Sequence, residues 1–164
     1  MTAKISFTID GVNIEADQGM TILKAAISND IYIPHLCHNP DLKPGGVCRL
    51  CMVEADGRVT TSCNTPVVAG MDVKTRNQVI DNIRKVVVKL LIVNNDRNCL
   101  TPNNSSKLKE VADYVGIKEK DLKQLRKPVK KKNIDESNPF FNRDLNKCIL
   151  CGICIKTCDE IEGV

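Results

Sequence analysis

With 164 residues the chain suits one domain or two small ones, and a chain of this length buries about two-thirds of its unfolded surface. It lacks Trp, and Phe7, Tyr32, Tyr114, Phe140 and Phe141 are its aromatics, so bulk must come from aliphatic side chains and from metal clusters that tie loops together. The formal charge of +4 is mild, no apolar run approaches the ~18 residues of a membrane span (Val86 to Val93 is broken by Lys89), and no charged-then-apolar leader precedes the first domain, so the chain reads as a soluble, cytoplasmic protein of a reducing compartment.

Lys4 to Asp10 alternates, with Ile5, Phe7 and Ile9 on one side. Asp10-Gly11 turns the chain, and Val12 to Glu15 returns as the partner strand. Thr21 caps a short predicted helix whose buried face is Ile22, Leu23, Ala26 and Ile27, and Asn29-Asp30 stops it. Ile31 to Pro34 leads into a long loop that carries Cys37, Cys48 and Cys51. Met52 to Ala55, the turn Asp56-Gly57 and Arg58 to Thr61 predict a second hairpin, and Cys63 follows it directly. Met71 to Lys74 supplies one more short strand, which completes a small α+β unit.

The four cysteines of this unit read Cys-x10-Cys-x2-Cys-x11-Cys. A [2Fe–2S] cluster takes four thiolates in this general manner; the plant-type pattern has the same close pair and distant last cysteine with a shorter first gap. The close pair holds one edge of a metal site from a single tight turn. Gly45 and Gly46 there allow positive φ and close backbone approach, and amide N–H groups of such a loop can point at the sulfurs. Three other readings compete. A structural zinc site usually pairs two knuckles, and one is present. A disulfide framework fits poorly with nine cysteines, an odd count. A Rieske centre needs two histidines on one iron; His38 and His35 are the only histidines, and both read better as polar loop residues.

From Thr75 the period changes. Thr75-x-x-Gln78 is a candidate capping box, and Val79, Ile83, Val86, Val87, Leu90 and Leu91 recur at helical spacing in a helix that runs to Asn94. Ser105 and Ser106 open another, with Leu108, Val111, Ala112 and Val115 on one face and Gly116 as its left-handed stop. Core packing explains both stripes. The run from Lys118 to Lys132 becomes almost wholly basic, and without interleaved aromatics it reads as a solvated linker, not a nucleic-acid surface. Cys148 to Cys158 then reads Cys-x2-Cys-x2-Cys-x3-Cys, the bacterial [4Fe–4S] run. Cys148, Cys151 and Cys154 wrap one cubane, and Cys158 serves either a second [4Fe–4S] cluster or as the fourth ligand. Asp159 stands where Pro usually follows, and the sequence given stops six residues after Cys158, before the second half of a two-cluster domain.

Both motifs, their order and the intervening helices resemble the N-terminal iron–sulfur region shared by [FeFe]-hydrogenases, the large iron–sulfur subunit of complex I and the α-subunits of NAD-linked formate dehydrogenases. The stretches that carry the resemblance are Ile33-Pro34-His35-Leu36-Cys37, Gly46 to Glu54, Ser62 to Pro66 and Asn146 to Gly152. It implies a β-grasp [2Fe–2S] ferredoxin domain at 1–75, a helical connecting region at 76–137 and an incomplete [4Fe–4S] ferredoxin-like segment at 138–164. It also implies that Cys37, Cys48, Cys51 and Cys63 are the [2Fe–2S] ligands. Gly45, Gly46 and Arg49, beside the close pair, are expected at the cofactor. One departure stands out. Where the family has a His and three cysteines for another [4Fe–4S] cluster, this chain has Asn95, Cys99, Pro102 and, near the third position, Ser106, so that middle cluster is expected to be absent.

No molybdopterin, hydrogen-activating or quinone-linked domain follows in this sequence, so catalysis by the chain alone is not expected. The leading expectation is an electron-transfer subunit or fragment of a multi-subunit oxidoreductase (hydrogenase, formate dehydrogenase or NADH dehydrogenase type). It would relay single electrons between a [2Fe–2S] and a [4Fe–4S] cluster, with flavin- or Fe–S-containing subunits as partners and neither nucleic acid nor a membrane span involved. The alternatives are a structural or assembly subunit with redox-inert clusters and a zinc-based nucleic-acid binder using the basic run.

Overall fold

The computed structural model describes residues 3–95, 100–101, 105–123, 125 and 132–164. They fall into two units, Met1–Arg84 with Gly152–Val164, and Lys85–Cys151.

The first unit is built on a mixed sheet of five strands in the order β2-β1-β5-β3-β4. The strands are β1 (Lys4–Ile9), β2 (Val12–Asp17), β3 (Met52–Ala55), β4 (Arg58–Thr61) and β5 (Asp72–Lys74). Both hairpins form where the turn dipeptides predict them. Asp10-Gly11 and Asp56-Gly57 adopt positive φ at both residues (50° and 80°, 48° and 77°), which is what a two-residue turn matched to strand twist requires. β5 then runs parallel to β1 and antiparallel to β3, so it joins the two hairpins into one surface. Asp10 fixes that junction from the side: its carboxylate accepts from the Thr75 N–H at 2.8 Å and from the Thr75 hydroxyl at 2.6 Å. The α+β class expected from the sequence is the class observed.

α1 (Ile22–Ser28) packs on this sheet, with the Thr21 hydroxyl accepting from Lys24 N–H at 3.3 Å as its N-cap. Its buried residues are Ile22, Leu23, Ala25 and Ala26; Ile27, expected inside, is 45% exposed. The expectation chose the bulkier side chain, whereas the buried face takes in the smaller Ala25. The backbone N–H groups of Ile22 and Leu23 donate to Thr65 and Ser62, both at 2.9 Å, so the helix start is welded to the segment that carries Cys63.

α2 (Gln78–Val93) is the helix expected from Thr75 onward, but its cap and its face both differ. Asn77, not Thr75, caps it: the Asn77 side-chain oxygen accepts from Ile80 N–H at 2.8 Å, because Thr75 is already committed to Asp10. The fully buried stripe is Ile80, Arg84, Val88 and Ile92, an unbroken i, i+4 series, while Val79, Val86 and Leu90 are more than half exposed. Hydrophobicity alone misplaced the face because a buried arginine sits in its middle.

In the second unit, α3 (Lys107–Val115) begins at Ser106 and ends at Gly116 (φ 78°), with Leu108, Val111, Ala112 and Val115 buried, as the sequence predicts. The start of the basic run is not a loose linker. Glu119–Leu122 forms one tight turn, closed by Asp121 accepting from Lys118 N–H at 2.8 Å, and Leu122 is fully buried. Positions 124 and 126–131 of that run lie outside the described residues, as do Cys99 and Pro102. No helix among the described residues is long and apolar enough to cross a membrane.

Candidate metal centre

All eight described cysteines are free thiols. Cys37, Cys51 and Cys63 are buried and Cys48 is half-buried; Cys51 and Cys63 belong to the same apolar core as α1 and the sheet. The local path explains how they meet. Cys51 leads into β3 and Cys63 follows β4, so the antiparallel pairing of these strands sets the two side by side; the Ser62 N–H donates to the Cys51 carbonyl at 2.9 Å. Cys37 and Cys48 come from the two ends of the long loop, and the Cys48 N–H donates to the Cys37 sulfur at 3.4 Å.

The sulfurs sense one another as two pairs. Cys48 is held down to about 5, first by the hydrogen bond from Cys37 and then by backbone N–H groups including that of Leu50, against the cost of burial. Cys37 is pushed up, by its bond to Cys48 first and by burial second. Likewise Cys51 is held down to about 7 by Cys63, and Cys63 is pushed up by Cys51, by burial and by the charges of the other three. In each pair one sulfur is held down and its partner pushed up, so the four act on one another. Iron is held by thiolates, so its binding couples to thiol ionisation.

Backbone geometry directs amides at the sulfurs. Arg49 has φ 54°, a left-handed conformation that costs a non-glycine residue on the order of 1–2 kcal/mol. That turn brings the Leu50 N–H back onto the Cys48 sulfur, while the N–H groups of Val47 and Cys48 face Cys37. The Arg49 side chain itself is exposed. Gly46 is buried with φ 61°, and a Cβ on it would lie 2.6 Å from the Asn64 side-chain nitrogen, so glycine is required there. Gly45 does not share that role: its φ is not positive, and a Cβ would meet Val47 at 3.3 Å. His38 is buried, and its ring meets that of His35 edge-on at 5.5 Å. The His35 Nδ1 lies 2.8 Å from the Ile33 carbonyl, an ordinary loop contact.

Two functional neighbours escape sequence reading. Ser62 is fully buried, its hydroxyl has no nitrogen or oxygen partner, and it lies where it lowers the Cys51 thiol. An orphaned buried hydroxyl is costly unless sulfur takes its proton, so its position fits a thiolate-held cluster. Arg84 reaches the same loop from α2, donating from Nε to the Leu50 carbonyl at 3.0 Å and from Nη2 to the Met52 carbonyl at 2.7 Å. Burying a guanidinium costs several kcal/mol, and charge-assisted bonds give about 1.5–3 kcal/mol each, so those two bonds roughly offset the burial and leave little surplus. The signal for Arg84 was present as a cation at an i, i+4 position of the buried stripe; Ser62 left none.

The second motif divides between the units. In the second unit, Cys148 is exposed and Cys151 half-buried; the Asn95 side-chain amide donates to the Cys148 carbonyl at 3.4 Å, and Asn146 is fixed by Lys132 through two bonds of 2.8 Å. Asn95, at the position of the resembling family's histidine, is therefore buried against the start of the motif. In the first unit, α4 (Ile153–Thr157) and a π-helical turn (Cys158–Glu162) carry the exposed Cys154 and Cys158. This segment docks on the long cysteine loop at Lys43. Glu160 accepts from the Lys43 N–H at 2.8 Å and pairs with Lys156 at 3.0 Å, and Lys156 Nζ donates to the Lys43 carbonyl. The Lys43 N–H and then Lys156 hold the Glu160 carboxyl below the usual range.

Residues 2–78 match the family described as a 2Fe-2S iron-sulfur cluster binding domain. A formate dehydrogenase-like protein of Bacillus subtilis, YrhE, is 30% identical over 161 residues, covering 96% of this chain and 16% of that protein. The alpha subunit of the NADPH-Fe(3+) oxidoreductase of Geobacter sulfurreducens is 34% identical over 163 residues, covering 97% of this chain and 19% of that subunit. Among solved structures, NAD+-reducing [NiFe]-hydrogenase in the H2-reduced state aligns with a TM-score of 0.84 and 32% identity, over 98% of this chain and 68% of that one. The chain spans less than a fifth of the length of those two curated relatives. Residues 2–78 thus form a 2Fe-2S iron–sulfur cluster binding domain, and nearly the whole chain is similar to part of formate dehydrogenase-like proteins, of NADPH-Fe(3+) oxidoreductase alpha subunits and of a chain of NAD+-reducing hydrogenase.

Proposed function

We propose that this chain is the iron–sulfur electron-transfer part of a multi-subunit oxidoreductase of the hydrogenase, formate dehydrogenase or NADH dehydrogenase type. The observation that carries it is the nest of four interacting thiols, gathered by the long loop and the β3–β4 pair and lined by backbone N–H groups. In this reading Cys37, Cys48, Cys51 and Cys63 hold a [2Fe–2S] cluster within a β-grasp domain at 1–75. A connecting region at 76–137 leads to a ferredoxin-like segment at 138–164, where Cys148, Cys151 and Cys154 hold a [4Fe–4S] cluster. Cys158 is its fourth ligand or serves a second cluster. When bound, the clusters supply one-electron transfer. The chain's own residues do the rest: the core around Cys51 and Cys63 excludes water, the turn at Arg49 aims amides at sulfur, and Lys43 seats the segment bearing Cys154 and Cys158. The partners are flavin- or Fe–S-containing subunits in the cytoplasm.

Anaerobic reconstitution with iron and sulfide, followed by metal analysis and EPR after dithionite, tests this. Cys48→Ser removes or distorts the [2Fe–2S] signal and spares the other. An iron-free wild-type protein that remains folded refutes the proposal, and bound clusters that dithionite leaves unreduced favour a structural role instead.

A further inference from the structure

Arg84 is the largest of the fully buried side chains, at 1% exposure, and it lies under the loop that carries Cys48 and Cys51. Its fork grips the carbonyls of Leu50 and Met52, the residues on either side of Cys51. The Cys51 carbonyl between them accepts from Ser62. Three successive carbonyls are thus fixed: the peptide plane before Cys51 cannot rotate without breaking a charged hydrogen bond, nor the plane after it without breaking the bond from Ser62. A planar guanidinium spans two such acceptors in a fixed geometry; an ammonium does not. Its third nitrogen lies 4.0 Å from Asp81, which is partly exposed and also engaged with Arg76 at 3.3 Å.

We propose that Arg84 is a positioning and charge-compensating residue for the cluster at Cys37, Cys48, Cys51 and Cys63: it holds the Cys51 arc, and its buried positive charge favours the reduced cluster. This rests on the ligand reading above. Four thiolates around a [2Fe–2S] centre carry net negative charge, which grows by one unit when an electron is added. A cation fixed in a low-dielectric interior is screened little by water, so it stabilises the more negative state more than the less negative one. Arg84 thereby makes the cluster easier to reduce than the same nest with a neutral residue at this position.

The test compares wild type, Arg84→Lys and Arg84→Gln in the reconstituted full chain, by iron and sulfide content and by EPR-monitored redox titration. At a fixed ambient potential, Arg84→Gln should lower the reduced-to-oxidised ratio of the [2Fe–2S] signal at least tenfold, about 59 mV for a one-electron couple. Arg84→Lys, which keeps the charge but loses the fork, should change that ratio less than threefold and release iron to a chelator several-fold faster. A fully loaded Arg84→Gln protein with a ratio within twofold of wild type overturns the proposal, as does an equal shift in both variants. If Arg84→Gln does not fold, Arg84→Lys decides alone: a shift under threefold supports the charge argument, and a larger one defeats it. A wild type without iron or signal defeats the ligand reading itself, an outcome distinct from a change between variants.

Discussion

Gly46→Ala offers a quantitative test of how the loop is packed over the cysteines. At φ 61° the new side chain forces a left-handed conformation, which costs a non-glycine residue about 1–2 kcal/mol. Its Cβ also falls 2.6 Å from the Asn64 side-chain nitrogen, so the amide must move, while its oxygen now lies 3.7 Å from the Cys63 sulfur. Losing that polar contact adds roughly 1 kcal/mol, for a total of about 2–3 kcal/mol. Gly57→Ala is the internal control: φ is 77°, yet nothing lies within 4 Å of its Cβ, so it carries the backbone cost alone. Urea denaturation of the metal-free protein, followed by far-UV circular dichroism, should separate the two variants by about 1 kcal/mol. Asn64→Ser removes that contact in advance, so in its background Gly46→Ala should cost only the backbone part, as Gly57→Ala does. Equal destabilisation of the two glycine variants in the wild-type background, or an undiminished cost of Gly46→Ala in the Asn64→Ser background, would refute the packing argument.

Three further outcomes follow from single contacts. Ser62→Ala removes a fully buried hydroxyl that lowers the Cys51 thiol; the midpoint potential should fall by roughly 20–60 mV, the equivalent of one net hydrogen bond, with folding unimpaired, and an unmoved potential would show that the hydroxyl does not reach sulfur. Glu160 is held below the ordinary carboxylate range by the Lys43 N–H and by Lys156, so its contribution is present above the unfolded value of about 4.3 and is lost as pH falls through the lower folded value. Hydrogen exchange at the Lys43 amide should therefore accelerate on acidification below about pH 4, and Glu160→Gln should be fast at every pH; identical profiles would remove Glu160 from the contact. Asn77→Ala should cost about 1 kcal/mol and expose the Ile80 amide to exchange, whereas Thr75→Ala should leave that amide protected, and the reverse result would restore Thr75 as the cap.

The readable parts of the chain are those where local chemistry decides. Asp10-Gly11, Asp56-Gly57, Ser106 and Gly116 specify turns and caps through their own conformational preferences, and each lies where the sequence puts it. The cysteine spacing is readable as far as the structure goes, in that Cys37 meets Cys48 and Cys51 meets Cys63. What was not readable depends on partners distant in sequence. Thr75 looks like a cap until Asp10, 65 residues away, claims both its donors. Ile27 looks buried until the sheet selects Ala25. The face of α2 was misassigned for the same reason: Arg84 is inside because Leu50 and Met52, more than 30 positions earlier, present carbonyls to it.

The first gap of the cysteine motif shows what such long-range choices accomplish. Plant-type ferredoxins use a shorter spacing before the close pair, so the ten residues between Cys37 and Cys48 exceed what ligation demands. The structure gives the added length a use. Lys43, midway along it, offers its N–H to Glu160 and its carbonyl to Lys156, residues that flank Cys158 in the second motif. Both contacts use the Lys43 backbone, so Lys43→Ala should leave the segment docked while Glu160→Ala releases it. A shorter loop would retain the thiolates and lose the seat. The long loop is therefore both the wall that carries Cys37 and Cys48 and the landing point for the segment that bears Cys154 and Cys158.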